Sequence, residues 1–461
     1  MKTGVRNLAL ATGVFFVILT VYLTYIQVVA GEKLYLTSLN PRLRQVEQQV
    51  ARGTIYDRAG RVLARTMGEP GEFRRQYPFG PATAHVVGYV SGRFGSSGLE
   101  AGRDGDLLGL TGWQGMVNKS MRLLGQVPRG NNLHLTLDAD LQTLAVNLLA
   151  GRRGAAVALD PRTGAVLLLA SSPSFDPNRL EEEWNRINSP GAASPLLNRA
   201  IQGLYPPGST MKLITATAAL EADPGILQRD FYCPGYLEVQ GWKLTCPRPH
   251  GHLNFQEAMM YSCNVTFATL ALEAGAEKFK ETAAMYGFDK PLKFDLPVAG
   301  SRLPDRLDDG SLAEASIGQG AVLATPLEMA AVTAAIAGKG ILMQPYLIEK
   351  VTAADGRSLW EAVPRPLQVV TSARIAEEIK EAMVATVNGG TATAVNLAGI
   401  QVAAKTGSAQ NPGGETHAWL VAFAPAQDPR IAVAVVVENA GAGGAVAAPL
   451  AREILAAALR R

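Results

Sequence analysis

The chain has 461 residues, 48% hydrophobic and 18% charged, with a net charge of +3 at neutral pH. That balance excludes disorder as a description of the whole chain and supplies enough apolar residues for more than one domain. No Lys/Arg cluster interleaves with aromatic residues, so the electrostatic footprint of a nucleic-acid binder is missing.

Leu8 to Ala30 is a run of 23 residues without a charged side chain. At ~1.5 Å per residue it spans about 35 Å, enough to cross a bilayer core. Lys2 and Arg6 precede it, which predicts a cytoplasmic tail over residues 1–7 and an extracytoplasmic remainder after residue 31. The competing reading is a cleaved signal peptide ending at Val28-Val29-Ala30. The apolar core of such a peptide is usually only ~7–15 residues, so the length favours an uncleaved single-pass anchor. Gly31 to Val46 is polar and amphipathic and predicts a helix leaving the membrane. Arg52 to Ala64 reads as strand, turn and strand, with Asp57 to Gly60 as the turn. Residues 66–129 are glycine-rich and predict alternating strands and loops, and Pro128 to Asn132 reads as a linker. Residues 31–130 are therefore expected to form a small N-terminal module, and residues 131–461 a second, larger domain.

In that second domain Leu133 to Leu137 alternates like a strand, and Asp138 caps a helix over Ala139 to Leu149. Ala155 to Leu159 and Ala165 to Ala170 flank Asp160-Pro161-Arg162-Thr163-Gly164 as a hairpin. Residues 209–338 read as mainly helical, with turns at Asp223-Pro224-Gly225 and near Gly300, and Ser372 to Val387 as a further helix. Ile400 to Thr406, Ala418 to Ala424 and Ile431 to Glu438 read as an antiparallel meander. Their near-continuous apolar character predicts cover on both faces, one of them by an amphipathic helix at Pro449 to Leu459. Ala440 to Ala448 is a glycine/alanine tract. The class is α+β.

Three short stretches carry the chemistry. Tyr205-Pro206-Pro207-Gly208 is turn-forming, and Ser209-Thr210-Met211-Lys212 follows it into an apolar run. Ser209 then sits at or near a helix N-terminus, with Lys212 about one turn on, as a nucleophile and its base would. Alone the pattern equally fits an N-cap serine and a surface lysine. Ser262-Cys263-Asn264 follows 53 residues after Ser209, at a junction between helical runs. Lys405-Thr406-Gly407-Ser408 follows 143 residues after Ser262 and ends a strand, Gln401 to Ala404. Ser-x-x-Lys, Ser-x-Asn and Lys-Thr-Gly in this order match the motifs of penicillin-recognising serine acyltransferases and hydrolases. Acyl transfer needs a nucleophile, a base and an oxyanion site. Ser209 is the candidate nucleophile, and Lys212 must be neutral to act as its base. Burial and a nearby second cation promote that neutral form, and Lys405 is that cation, which also offers a charge to a substrate carboxylate. Ser262 can relay a proton to the leaving amine, and Asn264 can hold Lys212 or the substrate amide. Thr406, Gly407 and Ser408 would bind substrate along the strand, with Gly407 leaving room for its approach. The backbone N–H groups of Ser209 and Ser408 are the candidate oxyanion hole.

With these motifs in place, the chain resembles the class B penicillin-binding proteins from Arg52 to Asn439. The resemblance rests on Arg52-Gly53-Thr54-Ile55-Tyr56-Asp57-Arg58, Gly98-Leu99-Glu100, Asp160-Pro161-Arg162-Thr163-Gly164 and Ser172 to Asn178. Asn198-Arg199-Ala200, Ser316-Ile317-Gly318-Gln319-Gly320, Thr325-Pro326 and His417-Ala418-Trp419 add to it. It implies a pedestal, then a penicillin-binding domain with a five-stranded antiparallel sheet, helices on both faces and an all-helical lobe. It implies a D,D-transpeptidase that cross-links peptidoglycan stem peptides through an acyl-enzyme on Ser209, and that β-lactams acylate. No cofactor is required for that reaction. The implied membrane partner is a glycan polymerase of the shape, elongation, division and sporulation (SEDS) type. Two departures stand out: a short pedestal, and Lys-Thr-Gly-Ser where Lys-Thr-Gly-Thr is commoner. Two rival readings share the motifs, a membrane-bound β-lactamase or β-lactam sensor and an inactive scaffold that activates a polymerase. A hydrolase needs a water-activating group, and no acidic residue stands in a suitable motif.

Cys233, Cys246 and Cys263, with His250, form a separate candidate set. The spacing fits a structural zinc site of Cys3His type, a Cys233–Cys246 disulfide, or free thiols. Some members of the family carry metal ligands in this stretch.

Overall fold

The structure is a computed structural model that describes residues 2–26, 49–110, 112–124, 126–411 and 413–460. Helix α1, Lys2–Tyr25, is long and apolar enough to cross a membrane, and its apolar window is not buried against the rest of the protein. The end of the expected span at residues 27–30 and the expected helix over Gly31 to Val46 lie outside the described residues.

The N-terminal module begins with β1 (Ile55–Tyr56), β2 (Val62–Met67) and β3 (Arg74–Gln76), joined by the expected turn. Residues 66–129, expected to alternate strands and loops, hold β3 and a two-stranded pair at Val90–Ser91 and Gly95–Ser96, together with helices at Ala84–Val87, Gly98–Gly102, Asp104–Leu107 and Gly112–Leu123. A buried ion network holds this module together. Glu100 accepts from Arg52 and from Arg75 Nε (2.6 Å), and Arg52 also pairs with Asp104. Burial alone would raise the Glu100 carboxyl, but Arg75 and Arg52 outweigh it and hold the group below its usual range.

Next come β4 (Asn132–Leu135), helix α2 (Ala139–Leu148, capped by Asp138), β5 (Gly154–Leu159) and β6 (Val166–Ser172). Helix α3 (Lys212–Ala222) follows. The stretch after it is not all helical: β7 (Phe231–Cys233), β8 (Tyr236–Val239), β9 (Trp242–Thr245) and β10 (Gly251–Leu253) form two small hairpins. Helices α4 (Phe255–Met260), α5 (Asn264–Ala274), α6 (Asp309–Ser316) and α7 (Pro326–Ala337) follow, with a further helix at Ala276–Met285. Further on come β11 (Ile348–Thr352), β12 (Ser358–Glu361), α8 (Ala373–Gly389), β13 (Ala403–Ala409), β14 (His417–Ala424), β15 (Ile431–Val437) and α9 (Gly443–Leu459).

Two sheets organise these elements. One runs β12-β11-β4-β1-β2-β3, so the expected boundary at residues 130/131 falls between strands paired in a single sheet. The other runs β13-β14-β15-β5-β6 and is antiparallel throughout. Its strands are buried on both faces, which explains their unbroken apolar text. Val421, Phe423, Ala434 and Val436 pack with α7, while Leu420, Ala422, Val433 and Val435 pack with Ala447, Ala451 and Ile454 of α9. The glycine/alanine tract leads into α9 and forms its first turns, residues 443–448, where small side chains let the helix lie close on the sheet.

Candidate active site

Ser209 lies in a single 3-10 turn, Gly208–Met211, that runs directly into α3. Four contacts fix this turn. Trp419 Nε1 donates to Pro206 O (3.0 Å), and the Thr210 hydroxyl to Pro207 O (2.7 Å). The Gly208 N–H donates to Gly318 O (2.9 Å), and Tyr205 exchanges backbone hydrogen bonds with Ala324 at 2.8 and 3.0 Å. Gly208 has φ +55, and a Cβ there would meet the Ser408 backbone at 3.1 Å. Only glycine takes that left-handed conformation without strain at such close approach.

Lys212 projects from the first turn of α3 into a wholly buried position. Its amine donates to Ser262 O (2.7 Å), Asn264 Oδ1 (2.7 Å) and Ser262 Oγ (3.2 Å). Lys405, also buried, donates to Ser262 Oγ (2.7 Å) and Thr406 O (3.3 Å). The Ser262 hydroxyl thus bridges the two amines. Its backbone has φ +57, a left-handed conformation that costs a non-glycine residue about 1–2 kcal/mol. The Ser262–Asn264 junction sits between α4 and α5, where the expected helix break lies. Asn264 holds Lys212 with its carbonyl oxygen while its Nδ2 donates to Thr245 O (2.8 Å).

Among the described residues Ser209 and Lys212 share no hydrogen bond, and the Ser209 hydroxyl has no partner. The Lys212 amine is instead turned to the Ser262–Asn264 junction, where its contacts are Ser262 O, Ser262 Oγ and Asn264 Oδ1. Catalytic hydrogen bonds often tighten only when substrate arrives.

Burial brings the Lys212 amine down from 10.5 to about 7, while the Cys263 and Cys246 thiols push it the other way. Lys405 falls well below its usual value, first through burial and then through Lys212. Of the two causes expected to favour a neutral Lys212, burial comes first at both amines, and repulsion from Lys212 adds to it at Lys405.

Lys405, Thr406, Gly407 and Ser408 lie inside β13 rather than at the end of a strand, because β13 extends to Ala409. This strand is the edge of the five-stranded sheet. Gly407 also has another reason to be glycine. A Cβ there would lie 2.9 Å from Pro207 O and 2.9 Å from the Trp419 Cβ, so the missing side chain lets the Ser209 turn seat on the strand. Thr406 Oγ1 shares a hydrogen bond with Thr391 Oγ1 (2.7 Å), and exposed Ser408 offers its carbonyl oxygen to Gln319 Nε2 (3.4 Å).

A cleft of about 530 Å³ opens over Ser209, Asn264 and Ser408. Trp242, Gln319 and Glu314 also line it, and they were not legible as site residues. Gln319 stands in the Ser316-to-Gly320 stretch, which was the available signal. Trp242 and Glu314 stand in no motif.

The cysteine set converges beside this site. Cys233 Sγ lies 3.7 Å from Cys246 Sγ and 3.5 Å from His250 Nδ1, and Cys246 Sγ lies 3.8 Å from Cys263 Sγ. All four ligand atoms fall within 4.8 Å of one another. The three cysteines are free, so the Cys233–Cys246 disulfide weighed from the sequence is not formed. Sulfur atoms sharing a tetrahedral zinc at ~2.3 Å are about 3.8 Å apart, which fits this spacing. The Asn264 N–H donates to Cys246 Sγ (3.1 Å), which ties the set to the Ser262–Asn264 junction.

Comparison with known proteins agrees with this architecture. Residues 154–456 match the penicillin binding protein transpeptidase domain, and residues 52–133 match the penicillin binding protein A dimerisation domain. The peptidoglycan D,D-transpeptidase PbpA of Mycolicibacterium smegmatis is 36% identical, with 100% of this chain and 99% of that protein covered. The peptidoglycan D,D-transpeptidase MrdA of Escherichia coli is 32% identical over 83% of this chain and 70% of its own length. The penicillin G acyl-enzyme complex of penicillin-binding protein A from M. tuberculosis superposes with a TM-score of 0.83 at 34% identity, covering 89% of this chain and 100% of that one.

Proposed function

The chain belongs to the class B penicillin-binding proteins, and on that premise we propose that Ser209 is the nucleophile of a peptidoglycan D,D-transpeptidase. Ser209 attacks the carbonyl of a D-alanyl-D-alanine stem, the terminal D-alanine leaves, and an amine of a neighbouring stem resolves the acyl ester. β-Lactams acylate the same serine. The observation that carries this reading is the convergence of two buried amines, Lys212 and Lys405, on the Ser262 hydroxyl. A neutral Lys212 takes the Ser209 proton, and Ser262 passes a proton to the leaving amine. Asn264 orients Lys212. Lys405 and the Thr406-Gly407-Ser408 edge receive the substrate carboxylate and backbone, with the Ser209 and Ser408 N–H groups at the developing oxyanion. Cross-linking of lipid-linked glycan stems by the full chain tests the reaction. Rapid turnover of penicillin in place of a long-lived acyl-enzyme would instead make it a β-lactamase.

Residues 31–130 serve as the pedestal and 131–461 as the catalytic domain, held on the extracytoplasmic side of the membrane by α1. Lys2 and Arg6 on the cytoplasmic side support that topology. A SEDS-type glycan polymerase is the membrane partner to be sought, by co-purification from detergent.

We further propose that Cys233, Cys246, His250 and Cys263 hold a structural zinc ion. Their spacing and the burial of Cys233 and Cys263 support it. Zinc would brace the Ser262–Asn264 junction through Cys246 and Cys263 and take no part in the reaction. Purified protein should carry one equivalent and lose thermal stability in chelator. Well under one equivalent, with no loss in chelator, would refute the site.

A further inference from the structure

Transpeptidation has a second substrate, and the acylation machinery does not account for it. The acyl-enzyme must be met by an amine, which in neutral water is an ammonium ion. Among the residues lining the cleft over Ser209, one is acidic, Glu314, and one is a lysine, Lys243. The Lys243 ammonium lies 3.7 Å from the centroid of the Tyr236 ring and is engaged there. Glu314 is half-buried, and its side chain has no hydrogen bond or ion pair among the described residues.

The backbone of Glu314 is fixed. Its carbonyl oxygen accepts from Ile317 N (3.2 Å) and Gln319 N (3.0 Å), which forms the turn that ends α6. The next residue of that turn, Gly318, accepts from Gly208, the neighbour of Ser209. Glu314 is therefore tied through one turn to the turn that carries the candidate nucleophile. Gly320 accommodates the carboxylate, since a Cβ there would lie 2.8 Å from Glu314 Oε2.

We infer that Glu314 binds the ammonium group of the amine acceptor and holds it in the cleft beside the Ser209 ester. The inference rests on the transpeptidase reading above and names the recognition chemistry of its second substrate. The ammonium first releases one proton to solvent. The amine nitrogen then forms a C–N bond to the acyl carbon while the ester C–O bond to Ser209 breaks. The second amine proton reaches Ser209 Oγ through Ser262 or Lys212. Glu314 supplies charge and accepts no proton in the net reaction. A fixed carboxylate concentrates cationic acceptors and selects against acceptors of net negative charge.

The test uses the full chain in detergent, a D-alanyl-D-alanine peptide donor and two acceptors. One acceptor is a peptide with a primary alkyl amine, the other is hydroxylamine, which is uncharged at neutral pH. Glu314→Gln should raise the KM for the alkyl amine about ten-fold. It should leave the hydroxylamine reaction and penicillin acylation within about two-fold, and Glu314→Asp should recover most of the loss. Equal loss with both acceptors would overturn the inference. So would slower hydrolysis with unchanged aminolysis, which would make Glu314 a water-activating base. Failure of penicillin to acylate the wild-type chain would instead remove the transpeptidase reading itself.

Discussion

Acylation of Ser209 should titrate with Lys212. The amine is wholly buried, and its descent from 10.5 to about 7 corresponds to about 5 kcal/mol in favour of the neutral form. With a midpoint of about 7, about one tenth of the enzyme carries a neutral Lys212 at pH 6, about half at pH 7 and about nine tenths at pH 8. The second-order rate of acylation by a fluorescent penicillin, followed by stopped flow, should then rise about nine-fold from pH 6 to pH 8 and flatten. The same burial has a stability signature. Between about pH 7 and pH 10 the unfolded chain holds a proton at Lys212 that the folded chain lacks. Stability conferred through this group therefore rises with pH across that window. A rate that climbs ten-fold per pH unit up to pH 9 would show a lysine that keeps its ordinary basicity, and would refute the neutral-base argument.

Glu328 is buried, one carboxylate oxygen has no partner, and burial raises its carboxyl well above the usual range. The folded chain then holds a proton that the unfolded chain loses, so stability falls by up to about 1.4 kcal/mol per pH unit as pH rises above the ordinary carboxylate range. Glu328→Gln should remove that slope in urea melts at pH 5 and pH 8, and an unchanged slope would contradict it. Arg52→Met should destabilise the pedestal by about 3–5 kcal/mol, because Glu100 and Asp104 remain buried without its charge. Calorimetry showing less than about 1 kcal/mol would refute the buried network as its anchor.

The proposed catalytic constellation was legible because each of its groups sits in a short motif whose residue types the chemistry dictates. Lys212, Ser262, Asn264 and Lys405 meet as those motifs imply, although the partner of Lys212 is the Ser262–Asn264 junction rather than Ser209. The five-stranded sheet was legible in part from unbroken apolar runs. The β7–β10 hairpins were not, because strands of three or four residues interrupted by Pro, Gly and Cys leave no usable period. Nor was the pairing of β11 and β4, which brings Ile348 opposite Leu135 across more than two hundred residues. A second constraint on Gly407 stayed hidden for a similar reason. Its close neighbour is the Pro207 carbonyl, far away in sequence. Glu314 belongs to no motif, and only its place in the cleft distinguishes it from a surface glutamate.

The most direct test of the central claim is mass spectrometry of the full chain after reaction with penicillin. The account predicts a single covalent adduct on the peptide that carries Ser209, and no adduct in Ser209→Ala. Equal labelling of Ser209→Ala, or an adduct on another residue, would contradict it.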